Sequence, residues 1–519
     1  MTNHPQVKDF LGYPKQKSHY FSYKTITPKL AQIEELAAKA AVIDSEERSS
    51  FQAAIIQFYN SVMTYHKLKN SFFYEDITNY TKFMKDLDKI LIKSEPLINL
   101  KSFKGLSIDQ KKTLLDLNRV VSKVRYTNSV SIVNVIPRQV SANVNVGIEW
   151  GSISDGLTDR IANKPVPKLT TLYAAALTSA QQQSPQFLAD VNNIHTYYND
   201  TFPKLLKQSK QEAMFYDWDM FYKLVVIYGF GILLLIGSWL IWKKALYSAA
   251  VWLITATFGF HSLGLIIRML VQDRPPVTNL YSSAVFVGWG GVALALLLER
   301  YFKNRLGLLV AGIVGFLTLI IAHHLSLQGD TLENMRAVLD SNFWLSTHVI
   351  TITLGYSGTY IAGFIAIVYT FHRLINAAKA AVMEKEYYRM VFGTVCFALL
   401  LSFIGTVLGG IWGDQSWGRF WGWDPKENGA LLIVLWNAMI LHFRLSGWIQ
   451  TRGLMGMAIL GNIVTSFSWF GVNMLGIGLH SYGFMEQAFF WLILFIISQL
   501  MIVSLLGIPK KATDNDIKA

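Results

Sequence analysis

Apolar residues follow two different patterns along the chain. From about residue 221 onward, apolar runs of ~20 residues alternate with short polar segments, and a helix of that length crosses a bilayer core. The nine predicted spans are 221–242, 246–270, 280–300, 306–325, 348–371, 390–411, 429–446, 454–476 and 485–507. Within the sixth span, the run Gly405–Gly410 has small residues four positions apart, which predicts close helix packing. The pattern therefore predicts an all-α polytopic membrane protein.

Residues 1–220 carry long polar stretches, and they are predicted to form a mostly helical domain outside the membrane. Thr27 and Pro28 are a typical cap and first-turn pair, and Ser107 with Gln110 predicts a capping box. The segment Val130–Trp150 is rich in Val and Ile and is predicted to be strand. The remaining divisions are 221–245 (first span and turn), 246–508 (main membrane domain) and 509–519 (tail).

Charge then assigns the two faces of the membrane. Cations concentrate in the connections after the first, third, fifth, seventh and ninth spans, and such connections face the cytoplasm. These residues are Lys243, Lys244, Arg300, Lys303, Arg305, Arg373, Lys379, Lys385, Arg389, Arg444, Arg452, Lys510 and Lys511. The cytoplasmic membrane is therefore the expected location, with residues 1–220 and the loop 412–427 on the outer face. The net charge of +13 fits these membrane borders, so no nucleic-acid partner is predicted.

An external domain of this size needs an export signal or an earlier span, and Met1–Leu30 contains neither. We therefore expect an upstream segment, either in a longer translation product or in a separate anchoring chain. The sequence does not decide between these two.

Histidines are the candidate metal ligands. A cysteine-based metal site is not possible, because the single cysteine, Cys396, lies in an apolar run. His348 and His480 fall at the outer ends of spans, on either side of the loop 412–427. Two imidazoles from separate helices are a usual axial pair for haem iron, although each alone could simply be held by a backbone carbonyl. His442 lies ~20 Å into an inward-running span, so it cannot share that iron. Its partner is expected outside this chain.

The outer loop contains the segment WGRFWGWDPKE, which combines indoles, glycines and one carboxylate. Its candidate contact residues are Trp417, Gly418, Trp421, Gly422, Trp423 and Asp424. Indoles bury a flat apolar ring by stacking, and glycine allows close backbone approach. A Trp-rich interfacial belt is the alternative. Asp424 could act on a thiol proton, orient a Trp N–H, or cap the helix that begins at Pro425.

Three segments together resemble the cytochrome c haem lyases of the CcsA/ResC type. They are WGRFWGWDPKENGALLIVLWNAMILHFR (Trp417–Arg444), FGVNMLGIGLHSYG (Phe470–Gly483) and FWLSTHV (Phe343–Val349). A weaker match is RPPVTNLYSS (Arg274–Ser283), where Ser282 replaces the usual Glu, so no chemistry is assigned to it. The resemblance covers roughly 246–507.

The resemblance implies that His348 and His480 ligate the iron of an external haem b. It also implies that the WGRFWGWDPKE segment (the Trp loop) holds the edge of this haem, and that His442 receives haem inside the membrane. It implies a synthetase that joins haem by thioether bonds to Cys-x-x-Cys-His of apocytochrome c. The implied partners are apocytochrome c, a separate or fused CcsB/ResB-like subunit and thiol-reducing proteins. A haem exporter without ligation activity and a cytochrome b-type electron-transfer subunit are the alternatives.

Overall fold

The computed structural model describes residues 2, 4–13, 20–43, 48–72, 77–98, 105–138, 149–327, 331–332, 340–472 and 486–508. The chain divides into two compact units, Met1–Leu206 and Lys207–Ala519.

The first unit is largely helical. Its helices are α1 (Pro5–Leu11), α2 (Tyr23–Ile26), α3 (Leu30–Ala41), α4 (Ser50–Phe72), α5 (Tyr80–Ile98), α6 (Ile108–Val130), α7 (Ile153–Ile161), α8 (Lys168–Gln181) and α9 (Phe187–Thr201). Strands β1 (Ile136–Arg138) and β2 (Glu149–Gly151) form an antiparallel pair in which Pro137 is opposite Trp150. The pair overlaps the segment Val130–Trp150 predicted to be strand and extends one residue beyond it, to Gly151. Among the described residues of that segment, only these two short pieces are strand.

The two helix starts predicted in this unit have different outcomes. The Ser107 hydroxyl accepts the Gln110 backbone N–H, and the Gln110 side chain returns the bond, so the capping box is confirmed. The prediction that Thr27 caps a helix is wrong. Its hydroxyl donates to the Tyr23 carbonyl oxygen at 2.8 Å instead of accepting a backbone N–H. The reason is that α2 continues through the 3₁₀ turn Thr27–Lys29, so Thr27 follows a helical turn rather than an extended chain.

The second unit is a helical bundle, and α10 (Pro203–Trp218) leads into it. The helices that follow are α11 (Met220–Leu240), α12 (Lys243–Gln272), α13 (Leu280–Phe302), α14 (Leu306–Ser326), α15 (Asn342–Trp344), α16 (Ile350–Ile375), α17 (Ala377–Val382), α18 (Glu384–Trp417), α19 (Pro425–Leu445), α20 (Thr451–Trp469) and α21 (Glu486–Leu505). A π-helical turn, Leu345–Val349, joins α15 to α16.

Among the described residues, seven helical stretches are long and apolar enough to cross a membrane, which confirms the polytopic, all-α class. They are Pro203–Leu240, Lys243–Gln272, Leu280–Phe302, Leu306–Ser326, Asn342–Ile375, Glu384–Trp417 and Pro425–Leu445. Helix α20 and the apolar stretch Phe489–Leu505 of α21 occupy the places of the eighth and ninth predicted spans. A total of nine crossings stays a prediction.

Helix α16 lies at the centre of the bundle, where it packs on α13, α18 and α20. In the most apolar 18-residue segment of Asn342–Ile375, 67% of the residues are buried. The corresponding share in Pro425–Leu445 is 28%. The outer surface of the bundle exposes large apolar side chains, including Trp252, Phe403 and Phe490. Soluble proteins rarely expose so much contiguous apolar surface, and lipid is the environment that covers it.

Glycines bring α16 and α18 into backbone contact. A Cβ at Gly355 would lie 2.8 Å from the Ser402 backbone nitrogen, and one at Gly405 would lie 2.8 Å from Ile352 Cα. No flexible side chain can move aside at either point, because the neighbouring atoms are backbone. The close packing predicted for the run Gly405–Gly410 is therefore confirmed, and it fixes the start of α16 against the end of α18.

We expect Gly355→Ala to destabilise the bundle by about 1–3 kcal/mol, because the added methyl forces the two helices apart. Thermal unfolding of the detergent-purified protein, followed by size-exclusion fluorescence, measures the effect. Gly259→Ala is the matched control, since a Cβ there meets nothing within 4 Å. Equal melting temperatures for the two variants would contradict the contact.

Candidate functional site

A cleft opens at one end of the bundle, where the ends of five helices meet. Its cavity volume, counted as the space open to the centre of a water molecule, is about 160 Å³, and all the empty space including open solvent at the mouth is about 1130 Å³. Its walls come from the starts of α13, α16 and α19 and from the ends of α18 and α20. The lining residues include Val277, Thr278, Asn279, Leu280, Ser283, Leu345, His348, Thr353, Thr406, Gly409, Trp412, Trp417, Trp421, Lys426, Glu427 and Trp469.

His348 lines this cleft from the π-helical turn. Its Nδ1 atom lies 2.7 Å from the carbonyl oxygen of Gly405. A carbonyl oxygen only accepts hydrogen bonds, so Nδ1 carries the proton, and in the neutral imidazole the lone pair is on Nε2. Metal-binding histidines are usually oriented by such a bond from the second ring nitrogen. Its tautomer and ring orientation thus suit a histidine that coordinates a metal through Nε2.

Helix α18 packs closely against this imidazole through Gly409 and Trp412. A Cβ at Gly409 would lie 2.6 Å from His348 Cε1, so only glycine leaves room for the ring. One turn further along the helix, the Trp412 indole meets the imidazole edge-on, with ring centres 5.8 Å apart. Trp412 is in turn stacked on Trp344 at 6.3 Å. The imidazole is therefore held by a backbone carbonyl, a glycine face and an indole.

The Trp loop between α18 and α19 presents its indoles to the cleft in two ways. Gly418 has the left-handed φ of +68°, which ends α18 and turns the chain. Trp417 and Trp421 are half-buried and line the cleft. Trp423 has a φ of +56°, is 73% exposed, and meets Trp421 edge-on with ring centres 6.3 Å apart. The predicted indole surface thus has an inner pair and one outward-facing member.

Asp424 is a buried helix cap, which establishes one of the three roles considered for it. Its carboxylate accepts the backbone N–H of Lys426 at 2.9 Å. The Glu427 carboxylate accepts the N–H groups of Asp424 at 3.2 Å and Gly422 at 2.7 Å. Two carboxylates therefore tie the end of the Trp loop to the first turn of α19. At Gly422 a Cβ would collide with the Arg419 guanidinium, which is the mobile end of a long side chain. The close backbone approach predicted for Gly422 stays a prediction.

An ion pair fastens the loop before α13 to the segment before α15. Arg274 Nε lies 2.6 Å from Asp340 Oδ1, and the Asp340 carboxylate raises the pKa of Arg274. Both residues stand shortly before segments that line the cleft, at Val277–Leu280 and at Leu345. The RPPVTNLYSS stretch, to which no chemistry was assigned, therefore contributes cleft wall. Its Asn279 and Ser282 also form the capping box that starts α13.

His442 does not share this cleft. It is exposed in the last turn of α19, twelve residues beyond the cleft-lining Ala430, or about 18 Å at 1.5 Å per residue. This agrees with the prediction that His442 and His348 cannot bind one iron. His480, the predicted second ligand, lies outside the described residues, as does most of its segment Phe470–Gly483.

The other bundle histidines have local contacts. The Nδ1 atom of His324 lies 2.9 Å from the Ile320 carbonyl oxygen, and His323 packs on Tyr222 with ring centres 4.5 Å apart. His261 is buried, with Nε2 3.2 Å from the Val285 carbonyl oxygen. None of the three lines the cleft.

The cleft-lining residues that were not among the candidates from the sequence include Gly409, Trp412, Lys426 and Trp469. Trp344, which stacks on Trp412 behind the cleft wall, was not a candidate either. A signal for part of this set is present in the helical spacing. Gly405, Gly409 and Trp412 are four and three positions apart, which places them on one face of α18. Lys426 lies in the WGRFWGWDPKE segment but was not chosen as a site residue, and Trp469 has no local signal. Their contact arises only when α19 and α20 pack together.

A family model described as "Cytochrome C assembly protein" matches residues 277–480. This range spans every cleft-lining segment and both predicted external histidines, and it is narrower than the 246–507 suggested by resemblance. The first unit and residues 207–276 lie outside the match.

Curated relatives agree with this assignment. CcsA of Guillardia theta is 34% identical over 247 residues, which cover 42% of this chain and 80% of that protein. CcsA of a Synechococcus species is 30% identical over 248 residues, covering 42% of this chain and 78% of the relative. Protein NrfI of Wolinella succinogenes is 34% identical over 235 residues, and the match covers only 25% of its length. These relationships and the apolar helices show that the chain is a multi-pass membrane protein of the CcsA family of cytochrome c biogenesis proteins.

Proposed function

We propose that the chain attaches haem covalently to the Cys-x-x-Cys-His segment of apocytochrome c at the outer face of the cytoplasmic membrane. The observation that carries this proposal is His348, whose orientation is set by Gly405 and which lines a cleft shared with Trp417 and Trp421. Cytochrome c assembly requires the handling of haem, and an imidazole beside flat indoles suits a flat iron macrocycle.

In this proposal His348 Nε2 is one axial ligand of the haem iron, and His480 is the other. The bond from Nδ1–H to Gly405 increases the basicity of the ligating nitrogen and holds the ring plane. Bis-histidine ligation keeps the substrate haem in one orientation while its vinyl groups stay available. The apocytochrome's own histidine then replaces one of the two ligands as the product leaves.

The Trp loop supplies the surface on which the two reactants meet. Trp417 and Trp421, which line the cleft, are assigned to the haem edge, and the exposed Trp423 is assigned to the incoming polypeptide. Gly418 and Gly422 allow the loop its turn and close approach. Asp424 contributes by fixing the loop to α19, since its carboxylate is buried and engaged in capping.

The bond-forming step needs no nucleophile from the enzyme. Each cysteine S–H adds across a vinyl C=C bond: sulfur bonds to the carbon next to the ring, and the hydrogen ends on the outer carbon. The addition is redox neutral, so reduced thiols and ferrous iron are conditions for it rather than reactants consumed. Catalysis then consists mainly of holding thiol and vinyl group in reacting geometry, which can contribute ~7–11 kcal/mol.

His442 is assigned to an earlier step, the passage of haem through the membrane. Its distance from the cleft along α19 requires a separate iron site, and its second ligand would come from a CcsB/ResB-like subunit. That subunit, thiol-reducing proteins and apocytochrome c are the proposed partners.

Co-expression with the accessory subunit and an apocytochrome, in a host without its own c-type maturation system, tests the ligation activity. We expect haem that stays on the cytochrome after denaturation. Trp421→Ala should lower the yield at least roughly tenfold, because ~1.4 kcal/mol of lost positioning has that effect. The matched control is Trp252→Ala, which removes a lipid-exposed indole. External haem that is not covalently linked would instead identify an exporter. A haem that stays on this protein, is reduced and reoxidised there, and is never linked to the cytochrome would identify an electron-transfer subunit.

The absorbance spectrum of the purified protein tests the ligand assignment. His348→Ala should abolish the low-spin bis-histidine spectrum, and Gly409→Ala should weaken it severalfold, because the new methyl occupies the space of the imidazole. Gly393→Ala, on the same helix with open space around it, should leave the spectrum unchanged. A wild-type haem spectrum in both His348→Ala and Gly409→Ala would remove His348 from the proposal.

Labelling with a membrane-impermeant maleimide tests the sidedness. In a Cys396→Ala background, the cysteine of an Arg419→Cys variant, in the Trp loop, should react in intact cells. The cysteine of a Lys385→Cys variant should react only after permeabilisation. Both positions are exposed. The opposite pattern of reactivity would place the cleft on the cytoplasmic face.

A further inference from the structure

Lys426 is a charged residue in the wall of an otherwise mainly apolar and aromatic cleft. It is the second residue of α19, and it lines the cleft together with His348, Trp417 and Trp421. Among the cleft-lining residues that the structure describes, it is the one lysine or arginine. An ammonium group in such surroundings is costly unless it is paired.

The pairing of this ammonium within the described part of the chain is partial. Its Nζ donates to the backbone carbonyl oxygen of Trp469 at 2.9 Å. That carbonyl ends α20, where the helix dipole favours a cation. An ammonium has three donors, and this bond uses one of them. The bond also explains why the side chain turns into the cleft rather than toward solvent.

The neighbouring carboxylates accept backbone N–H groups, and the nearby charge of Asp424 helps to keep the Lys426 side chain protonated. The Glu427 carboxylate accepts the backbone N–H groups of Gly422 and Asp424, and the Asp424 carboxylate accepts the backbone N–H of Lys426. No carboxylate oxygen among the described residues lies within the 4.0 Å of an ion pair with Lys426 Nζ. The Lys426 ammonium group therefore brings a positive charge and further N–H donors to the cleft wall.

We propose that Lys426 binds a carboxylate of the ligand in this cleft, namely a propionate of haem. This inference rests on the proposed function and deepens it, because it gives the macrocycle a second fixed point besides the iron. One axial bond leaves a flat ring free to rotate about the iron–nitrogen axis. A charge-assisted hydrogen bond at one edge removes that rotation, and it decides which edge, with its vinyl groups, faces the Trp loop.

The test compares haem with haem dimethyl ester, in which both propionates are esterified, by titrating the purified full chain with its accessory subunit. Wild type should bind haem roughly 10- to 150-fold tighter than the ester. In Lys426→Gln this ratio should fall toward one, whereas Lys426→Arg should keep most of it. Glutamine retains an N–H donor for the Trp469 carbonyl, so it removes the charge while preserving the contact between α19 and α20. Lys385→Gln, at an exposed lysine outside the cleft, should keep the wild-type ratio.

The outcomes are distinguishable. An unchanged haem-to-ester ratio in Lys426→Gln overturns the assignment of Lys426 and leaves the proposed function intact. A normal ratio combined with weaker apocytochrome binding assigns the carboxylate to the polypeptide partner instead, which also overturns it. Wild-type protein that binds neither haem nor its ester contradicts the proposed function itself.

Discussion

The backbone contact between α16 and α18 is the constraint on which the site depends. Gly355 and Gly405 allow the two helices to touch, and the contact brings the Gly405 carbonyl within reach of His348. Gly405 therefore serves both purposes: its missing side chain admits the neighbouring helix, and its carbonyl oxygen accepts the hydrogen bond from the imidazole N–H. A carbonyl has two acceptor positions, so this bond is compatible with the helical hydrogen bond of α18.

The Trp loop is short and is fixed at both ends. Gly418 ends α18 with a left-handed turn, and the carboxylates of Asp424 and Glu427 hold the start of α19. Trp421 and Trp423 lie on the short backbone between these two points, where the Glu427 carboxylate also accepts the Gly422 N–H. An aromatic surface that is ordered before its ligand arrives loses less conformational entropy on binding. The acidic residues of the motif thereby support the indoles without needing to react.

Hydrophobic periodicity predicted the membrane helices well, because a run of ~20 apolar residues has few other structural solutions. Local chemistry predicted the Ser107 capping box, which depends on residues three positions apart. It also gave capping as one of three roles for Asp424, because Pro425 follows it. It failed at Thr27, where a preceding helical turn changed the context. Trp469 and Lys426 were beyond such reasoning, because their proximity arises from the packing of α19 against α20. The family motifs identified the loop, whereas the environment of His348 depends on the packing of α16 against α18, which local sequence does not encode.

The π-helical turn Leu345–Val349 has a consequence for how variants of this chain should be understood. A π turn holds one residue more than an α-helical turn, and each residue of a helix accounts for about 100° of rotation. Residues before the turn are thus out of phase with the lipid-facing and bundle-facing pattern of α16. Losing a single amino acid there would act as a twist rather than a shortening, and it would swing the segment bearing Trp344 around the helix axis. The length of this turn is therefore as much a part of the site as the identity of its residues.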